Sequence, residues 1–268
     1  MNFLVALQPE ARPLIEKFKL KKRNGSNPFP VFENESHCLA ISGIGRIQAA
    51  AATGYLLGQL DGRPQAMINL GIAGHGTFDV GSLFLANRIF HSQEKGTYYP
   101  PAVLESKISK SGLQTMDAPE KDYPEPIGYD MEAHAFCSIA YQSITRELVQ
   151  VIKVVSDNPS APLADFNPKF ATDLLFANLS HIEEISEQLE GLEREISMDP
   201  LILGMLAEIR AKLHCTATQV HQLERILKQA HALGMAQDEI RSLLKSSTHT
   251  KNLLSSLAEK LAPLRIMK

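Results

Sequence analysis

No phenylalanine, tyrosine or tryptophan follows Phe176 in this chain of 268 residues. Aromatic side chains bury the largest areas in most cores, so everything after that point must close its core with aliphatic residues alone. Glycine fades over the same stretch: thirteen of sixteen lie at or before Gly128, and Gly191, Gly204 and Gly234 are the rest. The tail is dominated by Leu, Ile, Ala, Glu, Lys, Gln and Ser, residues that helices tolerate well. Two regimes are expected, one of strands, helices and tight turns and one of helices only, dividing between residues 185 and 198.

Lys and Arg total 27 against 30 Asp and Glu, with 44% apolar and 21% charged residues. That balance fits a globular protein and excludes one that coats nucleic acid or a membrane surface. The length suits one large domain or a domain with a smaller module. Met1–Leu7 lacks the basic and long apolar regions of a signal peptide, and Gln8-Pro9-Glu10 ends the run. No stretch reaches the ~18 apolar residues of a membrane span. Cys38, Cys137 and Cys215 are too few and scattered for a disulfide framework. A reducing, cytoplasmic setting is expected, with no nucleic acid and no membrane as partner.

Up to Leu189 the pattern alternates. Asn2–Leu7, Cys38–Ser42, Ala66–Leu70, Ser82–Phe90 and Val149–Val155 read as strands. Pro9–Phe18, Ile47–Leu60, Met131–Ser143 and Asn167–Leu189 read as helices. This is an α/β rhythm, and in open α/β sheets ligands bind beyond the carboxyl ends of the strands. Glu10, Ser42-Gly43, Gly71–Gly76 and Ser156-Asp157 all follow strands directly. Gly71-Ile72-Ala73-Gly74-His75-Gly76 is expected to be a loop whose backbone can approach a ligand; it equally fits a mere tight turn. Glu132, among small and apolar neighbours, is either a helix-start carboxylate or an acceptor for two sugar hydroxyls. Asp157 is either a helix cap or a proton donor.

In order along the chain, Ala6-Leu7-Gln8-Pro9-Glu10, Ser42-Gly43-Ile44-Gly45-Arg46, Asn69-Leu70-Gly71-Ile72-Ala73-Gly74, Asp130-Met131-Glu132-Ala133 and Ser156-Asp157 resemble the nucleoside phosphorylase/nucleosidase family. The branch they resemble most is that of the methylthioadenosine/S-adenosylhomocysteine nucleosidases. The resemblance implies a three-layer α/β/α domain over residues 1–190 that hydrolyses the N-glycosidic bond of a purine nucleoside, with a C-terminal all-α extension over 198–268 outside it. It implies Asp157 as the acid to the purine N7 and Glu10 as activator of water. Glu132 would hold the ribose hydroxyls with Met131 beside the sugar, and Ala73, Gly74, Ser156, Ser42 and Gly43 would complete the substrate site. The chemistry is reasonable in itself, because an oxocarbenium-like transition state needs an acid at the leaving group and anionic groups near the sugar. No cofactor and no metal are implied. A homodimer is expected, because the alanine-rich helix after Gly45 resembles a family dimer surface.

Phosphorylases of the family carry an arginine two residues before the glycine stretch, where this chain has Asn69. An amide cannot make the bidentate, charge-assisted contacts of arginine. Hydrolysis is therefore expected, with phosphorolysis through Arg12 or Arg46 as the second choice and a catalytically silent nucleoside-binding scaffold as the third. Three departures from the family pattern bear on activity. Ile72 replaces a serine, the segment at Thr115–Pro119 offers no evident aromatic to stack on the base, and Pro159 restricts Asn158. His91, near Tyr98-Tyr99-Pro100-Pro101, is a candidate for the 5′ end of the pocket or for simple loop packing.

The tail carries four apolar helical repeats. They run through Leu201, Ile202, Met205, Leu206, Ile209 and Leu213; Val220, Leu223, Ile226, Leu227 and Ala230; Ile240, Leu243 and Leu244; and Leu253, Leu254, Leu257, Leu261 and Leu264. Asp199-Pro200 and Thr216 read as helix starts and Gly234 as a helix stop. With no aromatic residue the core is marginal, so the tail is expected to fold poorly alone. It would pack on its own α/β domain, a second copy or a partner protein.

Overall fold

The structure is a computed structural model that describes residues 1–60, 65–162, 167–196 and 199–266. The chain divides into two compact units, Met1–Ser197 and Met198–Lys268.

The first unit runs β1 (Asn2–Val5), α1 (Gln8–Phe18), β2 (Lys21–Lys22), β3 (Val31–Glu33), β4 (Cys38–Ile41), α2 (Arg46–Leu57) and β5 (Met67–His75). It continues through β6 (Leu83–His91), β7 (Thr97–Tyr98), β8 (Ser109–Thr115), β9 (Gly128–Asp130), α3 (Ala133–Ala140), β10 (Val149–Asp157), α4 (Pro168–Ala177) and α5 (Leu179–Ile196). The α/β class holds. Ten strands form one mixed sheet, and α2 packs with α3 and α1 with α4. β1 lies parallel between β4 and β5, and β5 is parallel to β10. β10 turns antiparallel to β6, β6 runs parallel to β8, β8 parallel to β9, and β9 returns antiparallel to β5. Five strands thus close a ring, with β1, β4, β3 and β2 extending from it.

Every residue of β10 is buried, which is why its sequence is a β-branched run without the alternation of a half-exposed strand. Phe3, Phe84 and Phe136 are fully buried in the core.

Two expectations change. The glycine-rich stretch is not a loop, since β5 continues through His75 and Gly71–Gly74 pair with Lys153–Asp157 of β10. Its glycines serve close approach within the sheet. The helix expected over Asn167–Leu189 is two helices, broken at Asn178, whose side-chain amide donates to Gly81 O and Leu174 O, both at 3.0 Å. Strands β2, β3, β7, β8 and β9 are additions to the sequence reading.

The second unit comprises α6 (Pro200–Lys212), α7 (Ala217–Ala232), α8 (Gln237–Ser246) and α9 (Thr250–Ile266). Asp199 caps α6 through Leu201 N at 2.8 Å, and Thr216 caps α7 through Gln219 N at 3.3 Å. Gly234 follows α7 with φ 78°, a left-handed conformation suited to glycine. Ile209, Leu223, Leu227, Leu253 and Leu257 form the centre of its own aliphatic core. Leu201, expected inside, is exposed, and the Leu264 side chain lies outside the described residues. Among the described residues no helix is long and apolar enough to cross a membrane.

Candidate functional site

The expected residues meet largely in one cavity at the carboxyl ends of β1, β5 and β10. Glu10 and Asp157 line it with Met131 and Glu132, and Ala73, Gly74 and Ser156 form part of its wall. Ser42 and Gly43 are not among its lining residues. Ser42 Oγ instead donates to Gly43 O at 2.7 Å, and Gly43 makes the left-handed turn, φ 86°, that leads to α2.

Glu10 stands in the first turn of α1, where backbone donors are unpaired. Its Oε2 accepts from Ala6 N at 2.9 Å and Leu7 N at 2.8 Å, and its Oε1 from Ile72 N at 3.0 Å. Ile72, where a hydroxyl was missed, therefore contributes its amide. Burial raises the Glu10 pKa despite these three donors and nearby Lys153. Glu132 stands at the residue before α3 without capping it, and its Oε1 accepts from Gly45 N at 2.8 Å. Burial, helped by Asp130 and Glu10 and opposed by Lys153, pushes its pKa to about 7.

Lys153, a single cation within the apolar run of β10, is 1% exposed. Its Nζ lies 2.9 Å from Asp130 Oδ2. Burial alone would push the ammonium down, but Asp130, Glu132 and Glu10 together hold it above its ordinary value. Asp130 is in turn fixed by Thr115 Oγ1 at 2.7 Å and Ala133 N at 2.9 Å. Lys153 lies beside Gly71 in the register of β5 and β10. A Cβ at Gly71 would sit 2.8 Å from Glu10 Oε1 and 3.5 Å from Lys153 Nζ, so the bare backbone makes room for this pair. One lysine among three buried carboxylates leaves a surplus of acceptors, and burial raises Glu10 and lifts Glu132 to about 7.

Asp157 is aimed by an irregularity in β10, where the pairing to β5 shifts between Val155 and Asp157; such bulges redirect side chains. Ser156 Oγ donates to its Oδ1 and Tyr123 Oη to its Oδ2. Tyr129, Ala118 and Pro119 line another side of the cavity. Tyr129, on β9, thus lines the cavity where no aromatic was evident, and Tyr123, on the segment joining β8 to β9, reaches Asp157 without being among the lining residues. Asn158 folds back in a bridge to Ala161, and its amide donates to Phe78 O at 2.9 Å.

Neither candidate arginine lines the cavity. Arg12 pairs with Glu16 at 2.8 Å, and Arg46 pairs with Glu94 and Asp117. His91 is buried 3.7 Å from Asp117 and does not line the cavity. His75 is structural: its Nδ1 accepts from Thr77 N and Phe78 N, leaving Nε2 to donate to Ser111 Oγ at 2.9 Å. Burial lowers its pKa to about 4. Among the described residues no cluster of three His, Cys, Asp or Glu could hold a metal ion.

No family model and no curated protein matches the chain. Solved structures do. A 5′-methylthioadenosine nucleosidase from Arabidopsis thaliana is 20% identical with a TM-score of 0.60, over 71% of this chain and 95% of that one. The 5′-methylthioadenosine/S-adenosylhomocysteine nucleosidase from Neisseria meningitidis, in complex with methylthio-immucillin-A, is 19% identical with a TM-score of 0.56, over 69% and 98%. The nucleosidase from Helicobacter pylori is 12% identical with a TM-score of 0.57, over 70% and 97%. Helices α7, α8 and α9 lie beyond the matched region. At these identities the likeness concerns architecture, and it establishes that the chain carries the fold of the methylthioadenosine/S-adenosylhomocysteine nucleosidases, followed by helices of its own.

Proposed function

We propose that the protein hydrolyses the N-glycosidic bond of a purine nucleoside, the 5′-thio-substituted adenosines named for its structural neighbours being the first compounds to test. The observation that carries this reading is the convergence of Glu10, Glu132 and Asp157 on one cavity from separate strand ends. Asp157 gives a proton to N7 as the C1′–N9 electron pair leaves with the base. Water bonds to C1′ and passes its proton to Glu10, whose burial-raised pKa suits a general base. Glu132 accepts the ribose hydroxyls, and Met131 packs beside the sugar. Ala73, Gly74 and Ser156 shape the base side. The anionic surroundings favour the positive charge that develops on the sugar.

Phosphorolysis is the weaker alternative, since Arg12 and Arg46 are both paired to carboxylates and neither lines the cavity. A homodimer through α2 is proposed on its face of exposed Ile47 beside small residues. A panel of purine nucleosides with and without phosphate, read by free base and sugar product, tests the function. Base release is expected without phosphate, yielding free sugar, and Asp157→Asn should abolish it with the melting temperature unchanged. A ribose 1-phosphate product would make the protein a phosphorylase. Undiminished turnover in Asp157→Asn would remove Asp157 from the mechanism.

A further inference from the structure

Tyr123 lies on the segment joining β8 to β9, and nothing in the sequence pattern marks it. It is buried, packs with Ile127 and Tyr129, and meets the Tyr129 ring edge-on at 6.2 Å between centroids. Its backbone has φ 47°, a left-handed conformation that bulky residues seldom adopt and that tends to mark function. The segment that holds it is pinned at its far end, where Gly76 N donates to Ile127 O at 2.9 Å and Glu125 N to Tyr129 Oη at 2.9 Å.

The phenol donates to Asp157 Oδ2 while Ser156 Oγ donates to Oδ1, so each oxygen of the carboxylate already accepts a hydroxyl. Gly74 makes this approach possible. A Cβ there would stand 2.7 Å from Asp157 Oδ2 and 2.9 Å from Tyr123 Cε1.

We infer that Tyr123 selects the leaving group: its hydroxyl stands in for the base on Asp157 Oδ2, and a heterocycle binds productively only when one of its ring nitrogens replaces that hydroxyl. This rests on Asp157 being the donor to the departing base. The phenol keeps its proton throughout. When a base arrives, the phenol releases Oδ2 and Asp157 takes up a proton from solvent hydronium, which is left as water. That proton passes to the ring nitrogen as the C1′–N bond breaks and its electron pair leaves with the base. The class of base selected is one with a bare ring nitrogen on the five-membered ring, as in purines, against isosteres that carry C–H there.

The test is calorimetric titration of adenine and 7-deazaadenine into the full-length wild type and Tyr123→Phe. Without the competing hydroxyl, adenine should bind about tenfold more tightly, roughly the worth of one hydrogen bond, while 7-deazaadenine changes little. In wild-type protein carrying ring-labelled tyrosine, the resonance that Tyr123→Phe removes should shift with adenine and stay in place with 7-deazaadenine. Equal effects on both ligands, no tightening, no adenine binding at all, or an unmoved resonance would each overturn the assignment. Base release from nucleosides is scored separately. Adenine tightening in a protein that releases no base would leave Tyr123 standing and remove the hydrolytic reading, and base release with an unmoved resonance would do the reverse.

Discussion

At the scale of single residues, Glu132 couples the candidate site to stability. It holds its proton up to about pH 7 in the folded chain because it is buried, against an ordinary value of 4.5. Between those values the folded state binds more protons than the unfolded one, so rising pH removes stability, by about 1.4 kcal/mol per unit at most. Glu132→Gln cancels this term. Relative to wild type, the variant should gain stability as pH climbs through that window and show a constant difference outside it, measured by denaturant unfolding at several pH values. A difference that does not change with pH would show that Glu132 is not the proton holder. Wild-type base release should rise over the same window, because the carboxylate offers two acceptors and the neutral acid fewer. Glu10, Glu132 and Asp157 were legible in the sequence because each ends a recognisable strand or opens a helix. Lys153 was not: its carboxylate partners come from residues far away in the chain, and within a β-branched run one lysine gives no sign of facing inward.

Among the elements, β5 carries the main lesson. Three glycines in six positions read as a turn, whereas the structure uses them where other groups come too close for a side chain. Gly71→Ala should therefore lower stability by about 1–3 kcal/mol and impair base release, since the new methyl meets Glu10 and Lys153. Gly54→Ala is the comparison. Nothing lies within 4 Å of a Cβ at this α2 position, and the change should stabilise the helix by up to about 1 kcal/mol. Chemical denaturation of both variants checks the pair, and equal effects would contradict the close-approach argument. Strand β8, Ser109–Thr115, escaped detection because its sequence SKSGLQT lacks an apolar run; it is ordered by its neighbours β6 and β9. The break at Asn178 was hidden for a similar reason, as the bond to Gly81 O that fixes it is long-range.

For the whole molecule, the change in composition near Phe176 foretold an all-helical second part but not its degree of closure. Its helices bury an aliphatic core that includes Ile209, Leu223 and Leu257. Such a core without aromatics in about 70 residues remains marginal. A fragment of residues 199–268 should melt at a lower temperature and less cooperatively than the full chain, followed by circular dichroism. A sharp, monomeric transition in the fragment would identify an independent interaction domain.

The ring of strands also has a consequence for biosynthesis. Of the ten described strands β10 leaves the ribosome last, yet it brings both Lys153 and Asp157 and closes the ring between β5 and β6. A nascent chain lacking it presents two bare strand edges, the kind of surface that pairs with the wrong partner. It also holds Glu10, Asp130 and Glu132 without their shared cation. Competence and protection from misassembly therefore arrive in one late step of synthesis, and chains arrested before Val149 should be protease-sensitive along β5 and β6 while chains arrested well beyond Asp157 resist.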